Sequence, residues 1–180
     1  IVNKAQPRLL LSEEPIRPLL ERLQDTLPFC SIGVLNTLLR DIESHHDCPA
    51  VAIGAEDTAF LQFTSGSTSQ PKGVRLSHAN LVANVRMIAQ HGLRSTSEDY
   101  CVSWLPLYHD MGLIGKVLVP MYAGMRGVLF MPPALFLKRP LSWLHYISGQ
   151  KGTITFAPNF AYHLCLTRAS TKSIAGLDLS

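Results

Sequence analysis

A loop rich in hydroxyl groups and glycine carries the strongest chemical signal in this sequence. Residues 63–73 read Phe-Thr-Ser-Gly-Ser-Thr-Ser-Gln-Pro-Lys-Gly. Glycines allow backbone conformations in which several N–H groups point to one side of a loop, and the serine and threonine hydroxyls add further donors. Lys72 adds a positive charge. The loop is therefore predicted to bind phosphate groups.

The residues around this loop indicate which kind of phosphate-binding loop it is. The apolar, partly aromatic run at residues 59–63 predicts a buried strand, so the loop would lie at a strand end, where α/β sheets usually bind ligands. Lys72 is followed by Gly73 and not by Ser or Thr, as a Walker A loop requires. An ordinary P-loop nucleotide hydrolase is therefore disfavoured.

A second group of polar residues is Tyr108-His109-Asp110. Three neighbours cannot all face one way on a helix, so we do not expect a ready-made acid/base dyad. Asp110 is predicted to N-cap a helix that begins at Met111. His109, between a strand end and that helix, is expected to lie near the ligand of the loop lysine.

Residues 64–73 resemble the phosphate loop of the adenylate-forming superfamily, which includes acyl-CoA synthetases, peptide-synthetase adenylation domains and luciferases. Residues 104–113, with their His-Asp-Met-Gly run, and residues 157–162 are similar to the fatty acyl-AMP ligase branch. The resemblance extends through essentially the whole chain. One departure is Ser69, which stands where the family commonly has glycine.

The resemblance implies an enzyme that joins a fatty acid to ATP, releases pyrophosphate and passes the acyl adenylate to the phosphopantetheine thiol of an acyl carrier protein. It implies Mg²⁺ as a second cofactor, with no metal ligand assigned within this chain. His109 is expected to gate the substrate. The implied nucleotide-binding residues are Thr64, Ser65, Gly66, Ser67, Thr68, Lys72 and Gly73, and the implied acid-binding residues are His109, Gly112, Asn159 and Phe160.

Several of these assignments have structural alternatives. Gly112 and Gly115 suit either tight helix packing or the wall of an acyl site. Asn159 could instead satisfy backbone groups at a helix start. Three other functions stay open, namely an acyl-CoA synthetase, a noncatalytic adenylation-like module and a stand-alone nucleotide-binding protein.

Composition excludes other classes of protein. The net charge is +3 with no long basic run, which gives no indication of nucleic-acid binding. No apolar stretch approaches the roughly 20 residues that cross a bilayer, so the cytoplasm is the expected compartment. Charged residues make up 16% of the chain, against about 25% in an average globular protein, so we expect exposed apolar surface. The four cysteines lack Cys-x-x-Cys spacing.

Strand-like and helix-like segments alternate along the 180 residues. Helical patterns are predicted at 14–24, from Ser77 to Gly92, and after Pro140, with Trp143 in the core. Strands are predicted at 8–11, 74–76, 101–105, 127–131 and 153–157. This rhythm favours an α/β fold with a mostly parallel sheet flanked by helices. Residues 1–180 are interpreted as an internal, incomplete part of the adenylate-forming N-terminal domain, without the C-terminal domain that carries the catalytic lysine.

Overall fold

Short strands and helices alternate along the chain in the computed structural model, which describes residues 1–22, 30–34, 50–64 and 71–180. These residues form two compact units, Ile1–Leu76 and Ser77–Ser180. Parallel pairing occurs in both units, so the α/β class is confirmed. Within the described residues no helix has the length and apolar character needed to cross a membrane.

The first unit begins with a parallel pair of strands. Its elements are helix α1 (Val2–Ala5), strand β1 (Leu9–Ser12), a 3-10 turn (Glu14–Ile16), helix α2 (Arg17–Glu21) and strand β2 (Ser31–Val34). In the β1–β2 register Leu9 lies opposite Ser31. The helical pattern predicted for 14–24 is confirmed to Glu21, with a proline in the first turn, where its missing N–H costs no helical bond. Residues 23 and 24 lie outside the described part.

The second sheet of this unit borders the predicted phosphate loop. Strand β3 (Thr58–Thr64) and strand β4 (Lys72–Ser77) form a two-stranded sheet. The prediction that the strand before the loop is buried is wrong, because three residues of β3 are exposed, four are partly buried and none is buried. The side chains of a strand point to the two faces of its sheet, so they are buried only where other elements cover those faces.

The second unit begins with the helix predicted after Ser77. Helix α3 (His78–Arg86) continues as a π-helical segment (Met87–Gly92). The Ser77 hydroxyl accepts a hydrogen bond from the Asn80 amide at 3.2 Å, and the Asn80 side chain accepts one from the Ser77 amide at 3.1 Å. This reciprocal capping box satisfies two N–H groups that a helix start leaves unpaired, and it confirms the predicted N-cap.

The remaining elements surround a parallel pair of strands. They are strand β5 (Tyr100–Ser103), helix α4 (Asp110–Leu113), a π-helical segment (Ile114–Leu118), helix α5 (Val119–Ala123), strand β6 (Gly127–Phe130), and helices α6 (Pro133–Lys138), α7 (Leu141–Gln150), α8 (Asn159–Arg168) and α9 (Thr171–Ile174). Tyr100 of β5 lies opposite Gly127 of β6. The strand predicted at 153–157 is reduced to one parallel bridge between Cys101 and Ile154.

Aromatic rings form the centre of this second unit. Trp104 stacks on Phe136 with ring centroids 4.0 Å apart, and Trp143 meets both rings edge-on. Trp143 is 1% exposed, which confirms its predicted place in the core. The indole N–H of Trp143 donates to the Thr155 hydroxyl at 3.0 Å, and this hydroxyl donates to the Val102 carbonyl at 2.8 Å. Apolar side chains are also exposed at the surface, as the low fraction of charged residues predicts; Leu166, for example, is 74% exposed.

Candidate active site

The two ends of the predicted phosphate loop belong to one sheet. Strand β3 ends at Thr64 and strand β4 begins at Lys72, so both residues border the loop. The other predicted nucleotide-binding residues, namely Ser65, Gly66, Ser67 and Thr68, lie outside the described residues, as does Ser69. Of the seven predicted positions, the structure therefore places Thr64, Lys72 and Gly73.

The described end of the loop presents an exposed cation. Lys72 is solvent-exposed and makes no ion pair with a carboxylate among the described residues. The preceding Pro71 carbonyl accepts a hydrogen bond from the Lys4 ammonium at 2.9 Å. Gly73 packs closely on Phe63, since a Cβ at this glycine would lie 3.2 Å from the ring. A threonine hydroxyl and an uncompensated ammonium suit a polyanion such as the phosphate tail of ATP. No cluster of three or more His, Cys, Asp or Glu side chains that could hold a metal ion occurs in the described chain.

His109 and Asp110 contact one another, which the sequence reasoning did not expect. His109 Nδ1 lies 2.7 Å from the Asp110 carboxylate, and both side chains are about 60% exposed. Nδ1 also accepts a hydrogen bond from the Met111 amide at 3.3 Å, as the side chain of an N-cap residue does. The two side chains meet although they do not share a helix face, because His109 is extended at the helix start and its side chain can turn toward the first helical residue.

The helix start also corrects the predicted cap. His109, and not Asp110, is the N-cap residue of α4, while Asp110 is the first helical residue. The Asp110 carboxylate still accepts a hydrogen bond from the Met111 amide at 2.7 Å. A negative charge at this end of a helix is favourable, since unpaired N–H groups make the end partly positive.

Gly112 is buried in a close backbone contact. A Cβ at this position would collide with the Pro106 carbonyl group. Glycine is thus required by the packing of α4 on the segment before it, and this contact supports the packing interpretation of Gly112. Gly115, one turn later, faces a different environment.

An apolar groove lies beside α4 and α3. Its volume is about 410 Å³, which falls within the range of small-molecule sites. Aliphatic side chains dominate the wall, and polar groups come from two residues only among those that line it. The lining residues are Asn84, Ile88, Leu93, Asp110, Met111, Ile114, Gly115 and Phe156. Such a wall suits a hydrocarbon chain, because apolar surface gains free energy when it leaves water.

A buried lysine lies behind one side of this groove. The Lys116 side chain is fully buried, and its Nζ lies 3.4 Å from the centre of the Phe156 ring. Nζ also donates to the Cys101 sulfur at 3.2 Å. Burial lowers the pKa of Lys116 and raises the pKa of the Cys101 thiol, since low-dielectric surroundings disfavour both charged forms.

The residues predicted from the stretch 157–162 lie at the start of α8. Asn159 is exposed at the first helical position, after Pro158 at the N-cap. Phe160 is 52% exposed, and its ring meets Trp104 edge-on at 5.9 Å between centroids. The indole N–H of Trp104 is buried without a hydrogen-bond partner among the described residues. A buried unpaired donor is rare and costs about 1–3 kcal/mol. The Trp104 N–H can therefore still donate a hydrogen bond to a polar group that reaches it.

The sequence reasoning missed Phe156, Lys116 and Cys101. Lys116 occurs in a segment that reads as an apolar helix, and a lysine there is ordinarily expected at the surface. Its two partners come from β5 and from the extended segment before α8, so no local pattern joins the three residues. The one sign in the sequence was Gly115, next to Lys116, because a glycine in a helix can mark the close approach of another group.

A loop whose sequence predicts phosphate binding and, in the second unit, an apolar groove are features expected of a nucleotide-dependent enzyme with an apolar substrate. The sequence family described as AMP-binding enzyme matches residues 1–180, and the chain belongs to that family.

Curated relatives and a solved structure agree with this family. The chain is 46% identical to the Medium-chain-fatty-acid--[acyl-carrier-protein] ligase TtuA of Teredinibacter turnerae over 69% of its own length and 19% of the relative. It is 41% identical to a Putative acyl-CoA synthetase of Caulobacter vibrioides over 79% of its length and 25% of the relative. A fatty acyl-adenylate ligase from L. pneumophila, in complex with acyl adenylate and pyrophosphate, is 37% identical with a TM-score of 0.80, and the match covers 100% of this chain and 32% of that one. The chain thus spans about a fifth to a third of each protein's length.

Proposed function

We propose that this chain is part of a ligase that converts a fatty acid and ATP into an acyl adenylate and pyrophosphate. The observation that carries the proposal is the likeness, over all of this chain, to a ligase solved with acyl adenylate and pyrophosphate. The chain would form an internal segment of the AMP-binding N-terminal domain, and a C-terminal domain with a catalytic lysine would complete the enzyme.

The phosphate loop would bind the leaving group. When bound, ATP supplies the α-phosphate that the fatty acid carboxylate attacks. Lys72 supports this role, because an exposed ammonium with no carboxylate partner in the described chain is available to phosphate oxygens. The Thr64 hydroxyl at the opposite end of the loop would donate to the same phosphates, together with Ser65, Gly66, Ser67 and Thr68. Fixed donors of this kind stabilise negative charge as it develops on a leaving group.

The second unit would hold the fatty acid. The aliphatic groove described above suits the acyl chain, and Asn159 and Phe160 would contribute from the start of α8. His109, in contact with Asp110, would orient or gate the carboxylate and would not remove a proton from it, because a carboxylic acid is already ionised at neutral pH. Mg²⁺ would reduce the repulsion between the two anions.

An acyl carrier protein is the proposed acceptor, since the relative named TtuA is described as a ligase for that protein. Coenzyme A is the second candidate, supported by the relative described as a putative acyl-CoA synthetase. ATP and both thiol acceptors are cytoplasmic, which is the compartment we propose. A noncatalytic module or a small nucleotide-binding protein would release no pyrophosphate.

The test uses the full-length protein with ATP, Mg²⁺ and medium- to long-chain fatty acids. We expect pyrophosphate release that depends on the fatty acid, followed by acyl transfer to holo-acyl carrier protein and not to coenzyme A. Lys72→Ala should lower kcat/KM about 100-fold, the size of effect seen when one charge-stabilising donor is removed. Lys138→Ala, which removes an exposed lysine elsewhere, is the matched control. Equal pyrophosphate release by the Lys72→Ala variant and the parent would refute the role of the loop.

A further inference from the structure

We propose that Phe156 limits the length of acyl chain that the groove accepts, and that Lys116 is the positioning residue that holds the Phe156 ring there. This inference rests on the proposed function. It concerns substrate selection, which the likeness to relatives leaves open.

The Phe156 ring forms part of the groove wall. The ring lines the groove together with the aliphatic side chains of Ile88 and Ile114. It is the bulkiest side chain among the lining residues, so its position decides more of the available space than any other single group.

The Phe156 ring is held from two directions. Its edge packs against Gly115 so closely that a Cβ there would lie 2.6 Å from the ring carbon Cζ. Across one face, the Lys116 amino group lies 3.4 Å from the ring centre. An amino group above an aromatic face is attracted by the negative charge of the ring face, most strongly where water is excluded.

In the described part of the chain the Lys116 amino group contacts the Phe156 ring and the Cys101 sulfur. It forms no ion pair with a carboxylate among the described residues, and the Cys101 sulfur accepts its hydrogen bond. A fully buried amino group whose partners are a ring and a thiol orients that ring, because displacing the ring leaves the amino group without half of its contacts. Lys116 thus acts on the substrate through Phe156 and does not touch it.

The experiment measures the chain-length profile of the full-length ligase. Pyrophosphate release is followed with straight-chain saturated acids from hexanoate to palmitate, and kcat and KM are determined for each acid. Phe156→Ala should raise the ratio of kcat/KM for long over medium chains about tenfold, since each additional buried methylene contributes roughly fourfold. Phe156→Leu, a smaller truncation, should shift the ratio in the same direction by less and guards against loss of fold.

Lys116→Met tests the positioning role. This variant keeps an unbranched side chain, one atom shorter than lysine, and removes the amino group, so the ring should lose its fixed position. We expect KM to rise for the preferred acid and to fall for longer ones, with kcat little changed. Lys138→Met and Phe130→Ala are the matched controls for removing a lysine and an aromatic ring outside the groove, and both should retain the parent profile.

The outcomes separate this inference from the proposed function. If the parent ligase releases pyrophosphate and the Phe156 variants keep its chain-length profile, the inference is overturned and the function stands. If Lys116→Met lowers kcat/KM equally for every acid, the lysine has a merely structural role. If the parent releases no pyrophosphate with any acid, the proposed function fails and the inference fails with it.

Discussion

Gly115→Ala is the substitution whose consequence the structure defines most directly. The added methyl group would lie 2.6 Å from Cζ and 3.0 Å from Cε2 of Phe156. Carbon atoms in favourable contact are about 3.5–4.0 Å apart, so the ring would have to move by roughly 1 Å. That movement is opposed by the Lys116 amino group, which lies 3.4 Å from the ring centre.

The magnitude follows from two opposing terms. Extra carbon in a packed interior costs about 1–3 kcal/mol. Replacing glycine by alanine within a helix returns about 1 kcal/mol. The expected net change in the free energy of unfolding is therefore a loss of about 0 to 2 kcal/mol for Gly115→Ala.

Gly149 provides a matched control. It is the penultimate residue of helix α7, and a Cβ there would meet no atom within 4 Å. Gly149→Ala should therefore show only the favourable helix term, a gain of at most about 1 kcal/mol, which is the value for a helix interior. The two substitutions are chemically identical and differ only in what the new methyl group meets.

Thermal unfolding of the full-length protein measures this difference. One kcal/mol corresponds to about 2–4 °C for a domain of 150–250 residues, so Gly149→Ala should raise Tm while Gly115→Ala should leave it unchanged or lower it. Adding Phe156→Leu to Gly115→Ala should relieve the collision and give a lower cost than the two single changes together. Equal rises in Tm for both glycine substitutions would show that the Phe156 ring moves freely and would refute the reasoning.

Two further predictions concern the second unit. Ser77→Ala should lower its stability by about 1 kcal/mol, because the N-cap bond to the Asn80 amide is lost; Ser77→Thr should restore most of the Tm, and an unchanged Tm in Ser77→Ala would contradict the cap. The hydrogen bond from the Thr153 hydroxyl, at 2.7 Å, is the main cause that lowers the pKa of Asp99. A carboxyl with a lowered folded-state pKa contributes stability above its ordinary pKa, near 4, and this contribution disappears as pH falls through the lower folded value. Asp99→Asn should therefore destabilise the protein at neutral pH and weaken its loss of Tm on acidification. If Tm falls with acid equally in the variant and the parent, Asp99 does not contribute this pH-dependent stability.

The sequence predicts those features that local chemistry determines. Ser77 was recognised as an N-cap because the hydroxyl, the following helical pattern and the terminal Gly92 lie within one segment. The β3–loop–β4 order around Thr64 and Lys72 was recognised for the same reason. The exposure of β3 was not predicted, because burial depends on which elements cover the faces of its sheet, and those elements are not encoded in the run itself.

The helix start at His109 shows how closely a sequence can place a helix boundary. Asp is a frequent N-cap residue, and the sequence therefore favoured Asp110. In the structure the chain enters the helix one residue earlier, so histidine takes the cap and the carboxylate binds the next amide. Helix boundaries commonly differ by a residue, and here that single residue brings His109 and Asp110 into contact.

The buried lysine connects the fold to substrate selection. A buried amino group costs free energy in either protonation state, since the charged form loses hydration and the neutral form gives up a proton at neutral pH. A carboxylate partner would offset part of that cost, but Lys116 meets the Cys101 thiol and the Phe156 ring instead. An aliphatic side chain would fill the same space at lower cost. The stability of the second unit therefore gives no reason for a lysine at this position, whereas a ring that must keep a fixed place in the groove wall does.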